Sequence, residues 1–298
     1  VKSPCFLAGL IALWVAIALS TAASGQVNNE GAAPYASELL GCIDPESGAV
    51  VRVPMGEKAA AVCQVFDSVW ASAALDALGL HDEAERALAV HVATVRDESG
   101  TDTPAGSLPR EIRPDGRAAS FRGNADPESA AWLLAACWRH GASLSASERI
   151  AYLGPIWPRL SLAADYLARE PTVGGALSGA LPASAAPLDL LRTHYLGLES
   201  SRLAAEALGR EEPGLWSDRR GEIYARIRFR TLNQTGDDAT MKPWVNWWVA
   251  LMPGAQADEG WDVLKTAEAP VLTDAAITEW VAKEGALRRA ALRCLFEG

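Results

Sequence analysis

A chain of 298 residues that is 49 % hydrophobic and 21 % charged can bury a real core, as one large domain or two small ones. Its formal net charge of −10 and pI near 5.0 argue against a nucleic-acid partner, which would want a basic stripe. No block of like charges marks a tail.

The N-terminus reads as a secretory signal rather than as part of the fold. Lys2 is a small positive n-region, Cys5 to Leu19 is an apolar run, and Ser20 to Gly25 supplies small residues for cleavage between Ala22 and Gln26. The run is short for an uncleaved anchor. The expected organisation is therefore a signal at 1–25, a polar linker at 26–34 and a single domain over 35–298. The protein is expected to be exported, periplasmic or secreted, with no membrane attachment after cleavage. Cys5 leaves with the signal. Cys42, Cys63, Cys137 and Cys294 then allow three pairings. A Cys42–Cys63 bond would staple the opening loop to the first long helix; the alternative is four buried thiols. With no CxxC and only four scattered histidines, no zinc site and no cofactor are expected.

Tyr35 to Leu40 fits a short helix. Turn signals fill Cys42 to Arg52, and Val50 to Val53 could form a brief strand. From Ala61 to Glu98 the pattern is unambiguous. Val62, Val65, Phe66, Val69, Trp70, Ala73, Ala74, Ala77 and Leu78 recur at steps of three and four, and Gly79 follows. Asp82 is the expected N-cap of a second helix whose face is Ala84, Ala87, Leu88, His91, Val92 and Val95. Two helices across so short a turn make an antiparallel αα-hairpin.

A long connection over Ser99–Ala125 carries Arg110, Glu111, Arg113, Asp115, Arg117, Phe121, Arg122 and Asn124, a mixture suited to a polar ligand. Asp126 should cap the next helix, with Pro127 in its first position and Trp132, Leu133, Ala136 and Cys137 buried. Ser147 is the expected cap of a helix over Glu148–Leu153, and Pro155 and Pro158 are expected to interrupt the chain before a further helix through Trp157, Leu160, Ala164 and Leu167. Glu170 to Pro187 reads as a loop. Helices follow over Asp189–Gly209 and Glu212–Asn233, and their junction AAEALGREEP echoes ALDALGLHDEA. Lys242–Pro253, Gly260–Ala267 and Asp274–Phe296 complete the helices, and no sheet is expected. The fold class is all-α: antiparallel hairpins forming an (α/α) toroid, complete or incomplete.

The pairing of AVCQVFDSVWASAALDALGLHDEAERAL with GSLPREIRPDGR and DPESAAWLLAACWRHG resembles the six-hairpin (α/α)6-barrel glycosidases of the glucoamylase and glycogen-debranching type. The later HYLGLESSRLAAEALGREEPGLWSDRRGEIYARI resembles that family's second pair. The likeness covers about Ala61 to Asn233 and implies an α-glucan or related oligosaccharide as ligand. By it, Asp67 matches the substrate-contacting aspartate of the opening helix, with Phe66 where the family often carries Arg, and Asp126 or Glu128 matches the later acid. Glu128 has the better spacing to Trp132. The family's Trp- and acid-containing loop corresponds here to Gly174–Pro187, which has no acid.

Glycoside hydrolysis needs two carboxyl groups flanking the scissile bond. Asp67 and Glu128 are the catalytic candidates, with Trp70 and Trp132 as stacking platforms and Glu111, Arg113 and Asp126 as further substrate contacts. Each has a plainer role to set beside this: a helix-terminal acid for Asp67 and Glu128, an N-cap for Asp126, a solvated ion cluster for Glu111, core filling for the tryptophans. Glu199, close to Arg202 at i+3, reads as structural. There is no GxSxG or P-loop. Two functions compete: a hydrolase, and a non-catalytic toroid that binds saccharide or protein.

Overall fold

The computed structural model describes residues 33–51, 62–100, 103–114, 117, 125–170, 188–233, 248–249, 251–252, 261, 264 and 286–296. These residues are mostly helical. In chain order they form α1 (Ala33–Gly41), β1 (Cys63–Gln64), α2 (Val65–Ala77), α3 (His81–Val92), β2 (Glu111–Ile112), α4 (Pro127–Ser143), α5 (Ala146–Arg169), α6 (Leu188–Ala207), α7 (Gly214–Asn233) and α8 (Ala286–Phe296). Among them, no helix is long and apolar enough to cross a membrane. The signal, most of the linker, the Gly174–Pro187 loop, most of the stretches expected as helices over Lys242–Pro253 and Gly260–Ala267, and residues 274–285 of the helix expected over Asp274–Phe296 lie outside the described residues.

Two rows of helices pack together. In one, α2 lies against α4 and α4 against α6. In the other, α3, α5 and α7 lie against α2, α4 and α6 respectively, each helix folding back on the one before it. Composition explains the division. Thirteen consecutive residues of α4, Ser129 to Gly141, are buried, as are Asp67 to Asp76 in α2. Both stretches are rich in alanine, so neighbouring backbones can approach closely. Gly197 of α6 is such a contact: a Cβ there would stand 2.7 Å from Ala131 Cα of α4. By contrast α3 buries only Ala84, Ala87, Leu88, His91 and Val92, the single stripe of an outer amphipathic helix. Helix α8 packs on both α1 and α2.

The two hairpin turns that look alike in sequence are alike in structure. Gly79 and Gly209 have φ of 74° and 63°. Gly79 N–H bonds Asp76 O and Leu80 N–H bonds Leu75 O (3.0 and 2.9 Å); Gly209 N–H bonds Glu206 O and Arg210 N–H bonds Ala205 O (2.9 and 2.8 Å). Both are Schellman closures, which satisfy the last carbonyls and turn the chain back.

Some boundaries differ from expectation. Helix α3 starts at His81 behind Leu80, which makes no side-chain cap; Asp82 stands inside the first turn, where its charge meets the helix dipole. Ser145, not Ser147, caps α5, in a capping box with Glu148. Pro155 and Pro158 do not break α5, which runs 24 residues through both. Its buried face, from Tyr152 and Leu153 through Trp157, Leu160, Ala163 and Ala164 to Leu167, outweighs the roughly 3 kcal/mol that each of the two internal prolines costs. A two-stranded antiparallel ribbon was not expected: Cys63 pairs with Ile112 and Gln64 with Glu111. At the expected brief strand, Val50 makes a single bridge to Ile43. Cys42, Cys63, Cys137 and Cys294 are buried thiols, with no Cys42–Cys63 crosslink.

Candidate functional site

Of the residues singled out from sequence, Asp67, Trp70, Glu111, Arg113, Asp126, Glu128 and Trp132 belong to one end of the inner row, while Asp115, Phe121, Arg122 and Asn124 lie outside the described residues. The segment 107–113 spans the N-terminal ends of α2 and α4: Val65 N–H bonds Arg110 O at 3.4 Å, and Asp126 N–H bonds Leu108 O at 3.1 Å. Ribbon β1–β2 fixes the same segment to the start of α2, and Gln64 Nε2 donates to Glu111 Oε1 across it. Arg113 is exposed, and its N–H bonds Arg117 O at 2.7 Å. Asp126 caps α4, its carboxylate accepting from Ser129 N–H at 3.2 Å and from the Ser129 hydroxyl. Glu128 stands exposed on the first turn.

Asp67 sits differently. It is completely buried, in the first turn of α2, and accepts from Arg288 Nε of α8 at 2.6 Å. The Arg288 guanidinium lies 4.8 Å from the Phe66 ring centroid. So a guanidinium does reach Asp67, although not from position 66. Asp67 and Glu128 thus stand in opposite surroundings, one sealed in the core beside Arg288, the other exposed at the surface. Trp70 and Trp132 are also buried. Phe66 meets Trp132 and Trp70 edge to face at 5.2 and 6.1 Å, and Trp248 meets Trp70 and Trp132 at 5.4 and 5.7 Å. These indoles pack on one another rather than offering open faces to a sugar ring. Beside Asp67, Ser68 Oγ lies 2.8 Å from His91 Nε2, and both are buried. Burial pushes the His91 imidazole down to about 4, so it is neutral. With neither group open to solvent, this Ser–His pair packs α3 onto α2.

Sequence reasoning missed a second cluster, at the other end of α2. Asp76 Oδ1 accepts from His81 Nδ1 at 2.9 Å and from His140 Nδ1 at 2.8 Å; Oδ2 accepts from Arg139 Nη1 at 3.2 Å. Burial alone would raise the Asp76 carboxyl, but the His140 and His81 hydrogen bonds and the Arg139 charge outweigh it and hold the group below its usual value. The hydrogen bond to Asp76 raises His81 in turn. Arg139 also lies over the Trp248 ring at 5.9 Å, so the aromatic cluster runs from one buried ion pair to the other. Asp76, His81 and His140 are the group found among the described residues whose donor atoms, all within 4.8 Å of one another, could hold a metal ion. The sequence signal was slight: an acid flanked by Leu75 and Ala77 on a helix too apolar to leave it exposed, and an Arg-His pair ending another such helix.

Glu199 is structural as expected, buried and held by Arg202 (2.6 Å) and by Arg220 of α7 (2.7 Å). Compared with known proteins, the chain matches no protein-family model and no curated protein.

Proposed function

We propose that the chain is an exported helical scaffold that binds a saccharide without cleaving it, and that its two rows of helices curl into an (α/α) toroid, complete or incomplete. The succession of α2, α4 and α6, each backed by its own partner helix, supports that shape. The observation that carries the function is the unlike fate of the two carboxylates. A general acid or nucleophile must reach the glycosidic bond, and the second carboxyl must face it across the cleft. Asp67 is sealed and neutralised by Arg288, while Glu128 is exposed. What remains at this end of the inner row is a polar surface: Arg113, Glu128, and the half-buried Glu111 and Asp126. Carboxylates and guanidinium groups of this kind hydrogen-bond sugar hydroxyls.

The test is a panel of α-glucans and related oligosaccharides, followed both for released reducing sugar and for binding by calorimetry. Binding without release is expected, weakened at least fivefold by Arg113→Ala combined with Glu128→Gln at unchanged melting temperature. Release that Glu128→Gln abolishes would establish the hydrolase instead, and no binding across the panel would overturn both.

A further inference from the structure

We propose that Asp76, His81 and His140 form a binding site for a divalent transition-metal ion of the zinc class. This goes beyond the saccharide reading and does not rest on it.

The three donors come from three separate elements. Asp76 is in the last turn of α2, His140 is in the last turn of α4, and His81 opens α3. The Schellman turn at Gly79 brings His81 back over Asp76, five residues earlier. Zinc bound by nitrogen and oxygen at ~2.0–2.1 Å in a tetrahedron needs donors roughly 3.4 Å apart. The Oδ1–Nδ1 separations are 2.8 and 2.9 Å, so the donors must part by about 0.5 Å. His81 can supply that movement in its own pair, and a small rotation of the Asp76 carboxylate or the His140 ring must supply it in the other. The His81 side chain is 40 % exposed, whereas those of Asp76 and His140 are 2 % and 1 %. Two ligands are therefore carried by the packed inner helices, with room only for small side-chain rotations, and the third is the more adjustable one at the surface. The His81 side is also the route by which an ion and a completing water would arrive.

The outer contacts fit the same purpose. Arg139 holds Asp76 Oδ2, which orients the carboxylate and leaves Oδ1 for the ion. The Arg139 charge opposes a cation, but Asp76, Asp82 and Glu148 all act on His81 with the opposite sign. Binding replaces the two Nδ1–H···Oδ1 hydrogen bonds, so each imidazole then carries its proton on Nε2. Two imidazoles and one carboxylate suit zinc, nickel or copper(II); calcium and magnesium want oxygen donors throughout. An ion here would tie the α2–α3 turn to the end of α4.

The experiment uses the whole chain, stripped with a chelator and titrated with zinc chloride by calorimetry, with X-ray absorption at the zinc edge on the loaded protein. One zinc per chain is expected, with nitrogen and oxygen neighbours at ~2.0–2.1 Å and no sulfur. His81→Gln, a change at a partly exposed side chain, should weaken binding at least tenfold while the metal-free melting temperature stays near that of the parent. Calcium chloride should give no saturable heat. The proposal is overturned by the absence of saturable zinc binding, by equal affinity in His81→Gln, or by sulfur neighbours at ~2.3 Å, which would move the ion to the cysteines.

Discussion

Helix α2 carries a buried carboxylate at each end, and the two are neutralised in different ways. Asp67, in the first turn, has Arg288 as its charged partner. Asp76, in the last turn, has Arg139, His140 and His81. The helix itself accounts for part of this difference. At the N-terminus the aligned peptide dipoles and unbonded N–H groups favour an anion, and the Arg288 guanidinium adds to them. At the C-terminus the dipole opposes the anion, and a carboxylate can be buried there only if several donors converge on it. A buried acid at the wrong end of a helix is thus a sign of an assembled cluster, and the same acid at the right end need not be.

The largest test of this contrast is Asp76→Ala. It strands the buried Arg139 charge and removes the acceptor for both histidines, so a loss of about 3–5 kcal/mol in denaturant unfolding is expected. A loss below 1 kcal/mol would show that the cluster contributes little to holding α2 on α4.

Next comes pH, read at the Asp67 end. The His91 imidazole has its pKa pushed by burial from 6.5 to about 4, with the nearby Asp67 charge resisting. The unfolded chain therefore takes up a proton that the native state refuses. Stability from this group is full above about pH 6.5 and lost as pH falls through about 4, a total on the order of 3 kcal/mol. Unfolding midpoints measured across that window should show the slope, and His91→Gln, which keeps a polar partner for Ser68, should flatten it.

The smallest effect is expected from Asp67→Asn. The amide keeps the shape, the dipole no longer needs an anion, and Arg288 retains some contact with solvent. A loss of about 1–3 kcal/mol through the weakened buried bond is expected, with saccharide binding unchanged. Unchanged stability with abolished binding or turnover would instead make Asp67 a ligand-contacting residue.

Much of the architecture was legible because it rests on short-range rules. The stripe from Val65 to Ala77, the glycine after it, and the repeat of that punctuation at Gly209 define hairpins by residues three or four apart. Asp126 and Pro127 mark a helix start in the same local way. The failures were of another kind. One of them was local all the same: Ser145 stands at the Ser-x-x-Glu spacing of a capping box with Glu148, and Ser147 does not. The prolines of α5 look like breakers until the burial on both sides of them is known. The ribbon between Cys63–Gln64 and Glu111–Ile112, and the meeting of Asp76 with His140, depend on segments 47 and 64 residues apart in the chain. Nothing local encodes them. The aromatic residues were harder still: Trp70 and Trp132 look the same in sequence whether they face a ligand or each other.

The buried thiols give the fold a built-in gauge of its own opening. Burial pushes Cys63 and Cys137 up to about 12 and Cys294 to about 11, so in the native state the reactive thiolate is scarce at neutral pH. A thiol reagent can therefore label them only through transient opening. The three positions stand at the ribbon, in the middle of the inner row and on α8, so their labelling rates, followed by mass spectrometry, would rank these regions by how often each one breathes.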